Sequence, residues 1–150
     1  MRCVLQRVNS ASVSVDGKEV SKISQGLLIL LGVGKDDNKN DAEKLADKLI
    51  GLRIFSDSEG KFNLGLTDIN GKMLVVSQFT LYGNCKKGRR PGFDKAAPPE
   101  IAESMYNYFC DYVVRQGIPV ERGVFGAMMK VSLENDGPVT IIIDTDDWKK

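Results

Sequence analysis

Leu27-Leu28-Ile29-Leu30-Leu31-Gly32-Val33 is the stretch on which the fold turns, and residues 27–31 are the longest unbroken apolar run in the 150-residue chain. A strand with one wet face alternates apolar and polar residues. A run that is apolar at every position has both faces buried, so this stretch reads as the central strand of a sheet. It is far shorter than the roughly 20 residues a helix needs to cross a bilayer. On its N-terminal side a two-residue period prevails: Val4, Gln6 and Val8 alternate with Cys3, Leu5 and Arg7, and Ser12-Val13-Ser14-Val15 continues it. Asp16-Gly17 supplies a hairpin turn, because both central positions of a type I′ turn need positive φ. Residues 20–24 return as a strand and Gln25-Gly26 is expected to turn the chain again.

Beyond the central run the period changes. Ala42, Leu45, Ala46, Leu49 and Ile50 share one helical face within 38–52, and Asn40 with Glu43 has the spacing of a capping pair. A short strand at 53–55, the turn-rich Asp57-Ser58-Glu59-Gly60 and the Asn70-Gly71 turn lead to a long strand expected over 72–82. Residues 83–98 are irregular. A second helix follows over 99–116, with Ile101, Met105, Tyr108, Phe109 and Tyr112 as its apolar stripe and Gly117 as its stop. Two or three closing strands follow, with Asp136-Gly137-Pro138 between 131–133 and 139–143. The pattern is α+β in a single domain over 1–150: mainly antiparallel, mixed sheets with two main helices packed on one side.

Composition narrows the chemistry. Lys+Arg number 21 against Asp+Glu 20, a net charge of +1, which gives no electrostatic case for avid general binding of nucleic acid. Histidine is absent, which excludes Ser-His-Asp and Cys-His nucleophile pairs and every histidine metal site. Cys3, Cys85 and Cys110 are scattered and odd in number, as free thiols of a reducing cytosol are. No metal, cofactor, membrane or DNA partner is expected, and acidic pairs such as Asp36-Asp37 and Asp146-Asp147 read as surface charge.

Three stretches stand out as candidate chemistry. Ser77-Gln78-Phe79-Thr80-Leu81 puts hydroxyl and amide groups directly after an apolar strand, where the alternative is a strand end reaching water. Asn135-Asp136-Gly137-Pro138-Val139-Thr140 offers a glycine whose backbone a ligand can approach closely, or a tight turn between two strands. Lys86-Lys87-Gly88-Arg89-Arg90-Pro91 suits phosphate contacts or is a solvated loop.

Taken in order with Met1-Arg2, Gln6-Arg7-Val8, Ala97-Pro98-Pro99-Glu100 and Phe125-Gly126-Ala127, these stretches make a pattern that resembles the D-aminoacyl-tRNA deacylases over nearly the whole chain. The resemblance implies a homodimer that hydrolyses the ester joining a D-amino acid, or glycine, to the 3′-terminal adenosine of tRNA. It implies that Gly137-Pro138 is a cis dipeptide reaching into the partner's pocket, where its carbonyls hold the substrate amine and leave no room for an L side chain. Arg7 would fix that dipeptide by hydrogen bonding, and Met129 would line the pocket. Ser77, Gln78, Phe79 and Thr80 would form the catalytic strand motif, with the Phe79 N–H binding substrate and the tRNA 2′-hydroxyl orienting water. Thr80 as nucleophile is an older alternative that lacks an evident base. Lys86, Lys87, Arg89 and Arg90 would contact tRNA. A sister family that edits wrongly charged tRNA carries Pro-Gln-Ala-Thr-Leu at the strand motif, so Ser77 and Phe79 place this chain with the D-specific enzymes. Cys85 departs from the expected pattern, and the tail with Trp148 and two lysines has no implied role. An RNA-binding module without turnover and a hydrolase of some other small ester are the competing functions.

Overall fold

The computed structural model describes residues 1–149; of the two tail lysines, Lys150 lies outside them. The chain runs β1 (Arg2–Val15), β2 (Lys18–Ile23), β3 (Gly26–Gly32), α1 (Lys39–Gly51), β4 (Phe55–Ser56), β5 (Phe62–Leu64), β6 (Lys72–Ser77), a 3-10 turn (Phe79–Tyr82), α2 (Pro99–Arg115), β7 (Val120–Arg122), β8 (Lys130–Asp144) and a final 3-10 turn (Thr145–Trp148). The α+β expectation holds. The main sheet is mixed: β1 pairs antiparallel with β2, β3 and β8, whereas β3–β6 and β6–β7 are parallel. Parallel neighbours need a crossover, and α1 and α2 supply the two.

β3 is buried on both faces, as its composition requires. Leu27, Ile29 and Leu31 join Cys3, Leu5, Met73 and Val75 under the two helices. Leu28 points the other way, into a second cluster with Val8, Ala11, Val13, Ile23, Leu74 and Val76. Each such side chain fully withdrawn from water contributes about 2 kcal/mol.

The Asp16-Gly17 turn forms as expected, with φ of 52° and 78°. Gln25-Gly26 does not reverse the chain. β2 pairs with residues 11–15 of β1 and β3 with residues 2–8, so the two strands follow one another along the same edge of β1. A bend that keeps the apolar run in register costs less than unpairing it. The helix cap is Asn38 with Asp41, not Asn40 with Glu43: the Asn38 side chain accepts from the Asp41 N–H, and Asp41 answers at the Asn38 N–H.

In α2 the buried face is Ala102, Tyr106, Phe109, Cys110 and Val113, one position around from the expected stripe, and Ile101 is half exposed. Small Ala102 and Cys110 let the helix approach the sheet, while Tyr108 and Tyr112 donate across the helix pair to Glu43 and Asp47. The strand expected over 53–55 forms at Phe55–Ser56.

Asp37 is not surface charge. Its carboxylate, 4% exposed, takes the Met1 ammonium at 2.7 Å and the Gly34 N–H at 2.5 Å. Asp144 caps the last turn through the Asp146 N–H, which fastens the C-terminal segment beside the start of β1.

Candidate active site

β8 is one strand, where two strands and a turn were expected. It runs beside β1 from end to end, but with a break: Thr140 stands opposite Gln6 and Asn135 opposite Val8. Residues 136–139 therefore bulge out opposite the single residue Arg7. Asp136-Gly137-Pro138 is a protrusion from an edge strand and not a reversal, because both flanks keep their pairing with β1.

The bulge is braced from two sides. Arg7, 8% exposed, donates from Nε to the Asp136 carbonyl at 2.8 Å and from Nη1 to the Ile54 carbonyl at 2.7 Å. Its guanidinium also lies 5.3 Å from the centre of the Phe62 ring. Across the base of the loop, Asn135 Oδ1 accepts the Val139 N–H at 2.7 Å, while its Nδ2 donates to Thr140 Oγ1 at 3.0 Å. Gly137 has φ +143° and the Gly137–Pro138 bond is cis. A Cβ at Gly137 would lie 2.8 Å from Val139 Cγ2 and 2.9 Å from the Val139 nitrogen. Only glycine fits here.

The strand motif differs from the expected long strand. β6 ends at Ser77, opposite Leu31, and Gln78 keeps one sheet bond to the Leu31 carbonyl at 2.8 Å. The backbone then coils: Leu81 N–H bonds to the Gln78 carbonyl and Gly83 N–H to the Thr80 carbonyl. The extended chain expected over 78–82 is thereby lost. Phe79 and Thr80 are presented at the surface, with the Phe79 ring 55% exposed and edge-on to Phe93 at 5.0 Å. At the head of this turn the first N–H groups have no intrahelical acceptor. The Thr80 hydroxyl accepts from the Gln78 amide nitrogen. That partner is a donor and cannot take the hydroxyl proton, so the geometry gives Thr80 no base.

The basic loop adjoins this turn. Asn84 and Gly92 pair at its base with bonds of 2.7 and 2.9 Å, and the Asn84 side chain accepts the Lys86 N–H. Lys86, Lys87, Arg89 and Arg90 are all exposed, and none is engaged in an ion pair among the described residues. Met129 packs near the end of β6, where its Sδ accepts the Val124 N–H at 3.4 Å and it joins the cluster holding Val76.

The structure thus gathers Ser77, Gln78, Phe79, Thr80, Met129 and the basic loop near one end of β6. Gly137-Pro138 lies elsewhere. Going from Arg7 to Cys3 along β1 and then across β3 to Ser77 covers four residues and, from β8, three strand spacings. At about 3.3 Å per residue and about 4.8 Å per strand the two motifs are about 20 Å apart in one chain. Arg2 and Phe93, which touch the turn at 79–82, escaped the sequence analysis. Arg2 lies far from it in sequence and entered only in the quoted Met1-Arg2 pair, while Phe93 sits in the irregular stretch after it, where no periodicity marks a contact. Among the described residues no cluster of three or more His, Cys, Asp or Glu could hold a metal, and no helix is long and apolar enough to cross a membrane.

The family model described as D-Tyr-tRNA(Tyr) deacylase matches residues 4–144. A D-aminoacyl-tRNA deacylase of Thermosipho africanus is 59% identical over 145 residues, spanning 97% of each chain. That of Desulfatibacillum aliphaticivorans is 58% identical, over 97% of this chain and 99% of its own. Among solved structures, a c-Myc DNA unwinding element binding protein superposes with a TM-score of 0.91 at 40% identity, covering 96% of this chain and 98% of that one. A probable eukaryotic D-amino acid tRNA deacylase shares the fold, with a TM-score of 0.78 at 20% identity over 95% and 97% of the two chains. The chain belongs to the D-aminoacyl-tRNA deacylase family, a family of hydrolases.

Proposed function

We propose that the protein hydrolyses the ester between a D-amino acid, or glycine, and the 3′-terminal adenosine of tRNA, acting as a homodimer in the cytoplasm. The observation that carries this is the braced bulge at residues 136–139, which projects main chain from an edge strand about 20 Å from the strand motif of the same chain. One chain cannot close a pocket over that gap, whereas a second copy can bring its Gly137-Pro138 to the first copy's Phe79 and Thr80. Main-chain carbonyls at Gly137 then hold the substrate α-amino group. An L side chain meets backbone there, while a D side chain points outward, so chirality is tested without reading side-chain identity.

Water attacks the ester carbonyl carbon, and the Phe79 N–H stabilises the resulting oxyanion. The carbon–oxygen bond to the ribose 3′-oxygen breaks, and that oxygen leaves with a proton. The adenosine 2′-hydroxyl orients the water, which suits a site without histidine. The ester is already activated, so positioning supplies much of the rate. Thr80 binds and orients, consistent with its hydroxyl being occupied by Gln78. Lys86, Lys87, Arg89 and Arg90 follow the acceptor-end phosphates.

The test is deacylation of matched D-tyrosyl-tRNA and L-tyrosyl-tRNA by the purified protein. Rapid loss of the D ester with the L ester spared is expected. Equal loss of both removes the chiral gate. A second reading, nucleic-acid binding without turnover, is favoured by the free basic loop and by the likeness to a protein described as binding a DNA element. It predicts retention of tRNA with neither ester cleaved.

A further inference from the structure

Arg2 reaches the strand motif from the first residue of β1. Its Nε donates to Asp144 Oδ2 at 2.6 Å, its Nη1 donates to the Leu81 carbonyl at 3.2 Å, and its guanidinium lies 4.5 Å from the centre of the Tyr82 ring. Leu81 and Tyr82 are the last two residues of the 3-10 turn whose first two are Phe79 and Thr80. The turn is otherwise tied to the sheet at its head, by the Gln78 bond to Leu31. At the other end it is held by Arg2 and by Tyr82, whose side chain is buried and whose hydroxyl donates to Asp37 Oδ2 at 3.4 Å. The planar guanidinium bonds a carboxylate and a carbonyl at once and still stacks on an aromatic ring, whereas a lysine keeps the charge and part of the bonding but loses the fork.

Arg2 is itself oriented. Asp144 is the last residue of β8 and pairs with Arg2 across the ladder, so backbone pairing and the side-chain ion pair join the same two residues. Burial pushes the Asp144 carboxyl up, but the Asp146 N–H and the Arg2 guanidinium outweigh it and hold its pKa below the usual value. The carboxylate that orients Arg2 is therefore charged at neutral pH.

We propose that Arg2, oriented by Asp144, is a positioning residue for hydrolysis: it sets the pitch of the turn at 79–82, and so the direction of the Phe79 N–H and the Thr80 hydroxyl. The proposal rests on the assignment of that turn to ester binding. Arg2 acts through the turn and not on the reacting atoms. A displacement of about 1 Å at a catalytic group costs up to about a hundredfold in rate, so the effect falls on kcat.

The experiment compares the wild-type protein with Arg2→Lys, Arg2→Met and Asp144→Asn, with D-tyrosyl-tRNA as substrate. Arg2→Met should lower kcat about tenfold to a hundredfold and leave KM within about threefold, in line with misplacement of a transition-state group. Arg2→Lys should recover part of that loss, and Asp144→Asn should fall between. Amide hydrogen exchange should quicken in the peptide covering 79–83 and not in β3. Unchanged kcat in the folded variants overturns the proposal, as does a loss carried by KM alone. A kcat loss that Arg2→Lys does not lessen also overturns it, because that is the behaviour of a plain structural defect. If Arg2→Met does not fold, Arg2→Lys and Asp144→Asn decide, and wild-type kcat in both overturns it. Absence of turnover by the wild-type protein would instead defeat the underlying assignment of function.

Discussion

The Nε–H of Arg7 donates to the carbonyl of Asp136 at 2.8 Å, and this bond sits at the root of the four residues that leave the β1–β8 ladder. The same guanidinium donates to Ile54, so one buried charge links β1, the segment before β4 and the bulge. Hydrogen bonds to charged groups are each worth about 1.5–3 kcal/mol, and removing the donor leaves two carbonyls without their partner. Arg7→Met should cost about 2–4 kcal/mol in urea unfolding and abolish most deacylation. Arg7→Lys should also lose most of the activity, because one ammonium on a flexible stem does not reproduce the fork. Wild-type activity in Arg7→Lys would show that the bulge holds its shape without that fork.

Gly137 is the position where a single methyl is most informative. With φ at +143°, and with Val139 atoms within 3 Å of any Cβ, alanine must displace main chain. Such strain costs on the order of 1–3 kcal/mol. Because the bulge projects from an edge, that strain should leave the sheet folded while deacylation falls by at least about a hundredfold. Circular dichroism with a D-tyrosyl-tRNA assay separates the two effects, and undiminished turnover by Gly137→Ala would refute the role given to this glycine.

The parts of the fold that were legible in the sequence are those where one residue type dictates one geometry. The run at Leu27, apolar at every position, reads as a doubly buried strand and forms one, and Asp16-Gly17 forms the tight turn its residue types favour. The misreadings share a cause. Gln25-Gly26 carries the chemistry of a turn and Asp136-Gly137-Pro138 that of a hairpin, yet in both places strand pairing on either side overrides the local preference. The polar strand end at Ser77 looked like five more residues of extended chain, because alternation says nothing about where a sheet partner stops. Here β3 ends at Gly32, and without a neighbour the backbone coils. Asp37 misled for the opposite reason: its partner, the Met1 ammonium, is not a side chain that sequence patterns register.

The basic loop should matter for binding and not for chemistry. Its four cations are exposed at the tip of a loop closed by the Asn84–Gly92 pair, so replacing them disturbs nothing packed. Changing Lys86, Lys87, Arg89 and Arg90 together to alanine should raise KM for D-tyrosyl-tRNA about tenfold or more at low salt. It should also flatten the dependence of log KM on log salt by up to about one unit per lost phosphate contact. Thermal unfolding should stay near the wild-type midpoint. A KM that ignores all four changes would mean that the loop is merely solvated.

The three thiols give an independent probe of the same loop. Burial pushes the Cys3 thiol up to about 12 and the Cys110 thiol up to about 12, so both stay protonated at pH 8 and are sterically closed as well. Cys85 is exposed beside Lys86 and Lys87. A maleimide at neutral pH should therefore modify one cysteine in the native protein and all three only after unfolding, as counted by intact mass. Two or three fast additions to folded protein would contradict the burial of Cys3 and Cys110. On the proposed role of the loop, a bulky adduct at Cys85 should raise KM for D-tyrosyl-tRNA and spare hydrolysis of a D-aminoacyl ester of adenosine alone. Equal inhibition on both substrates would show that the adduct acts through the nearby turn at 79–82, and the loop would then be a support for the reacting groups instead of a track for the RNA.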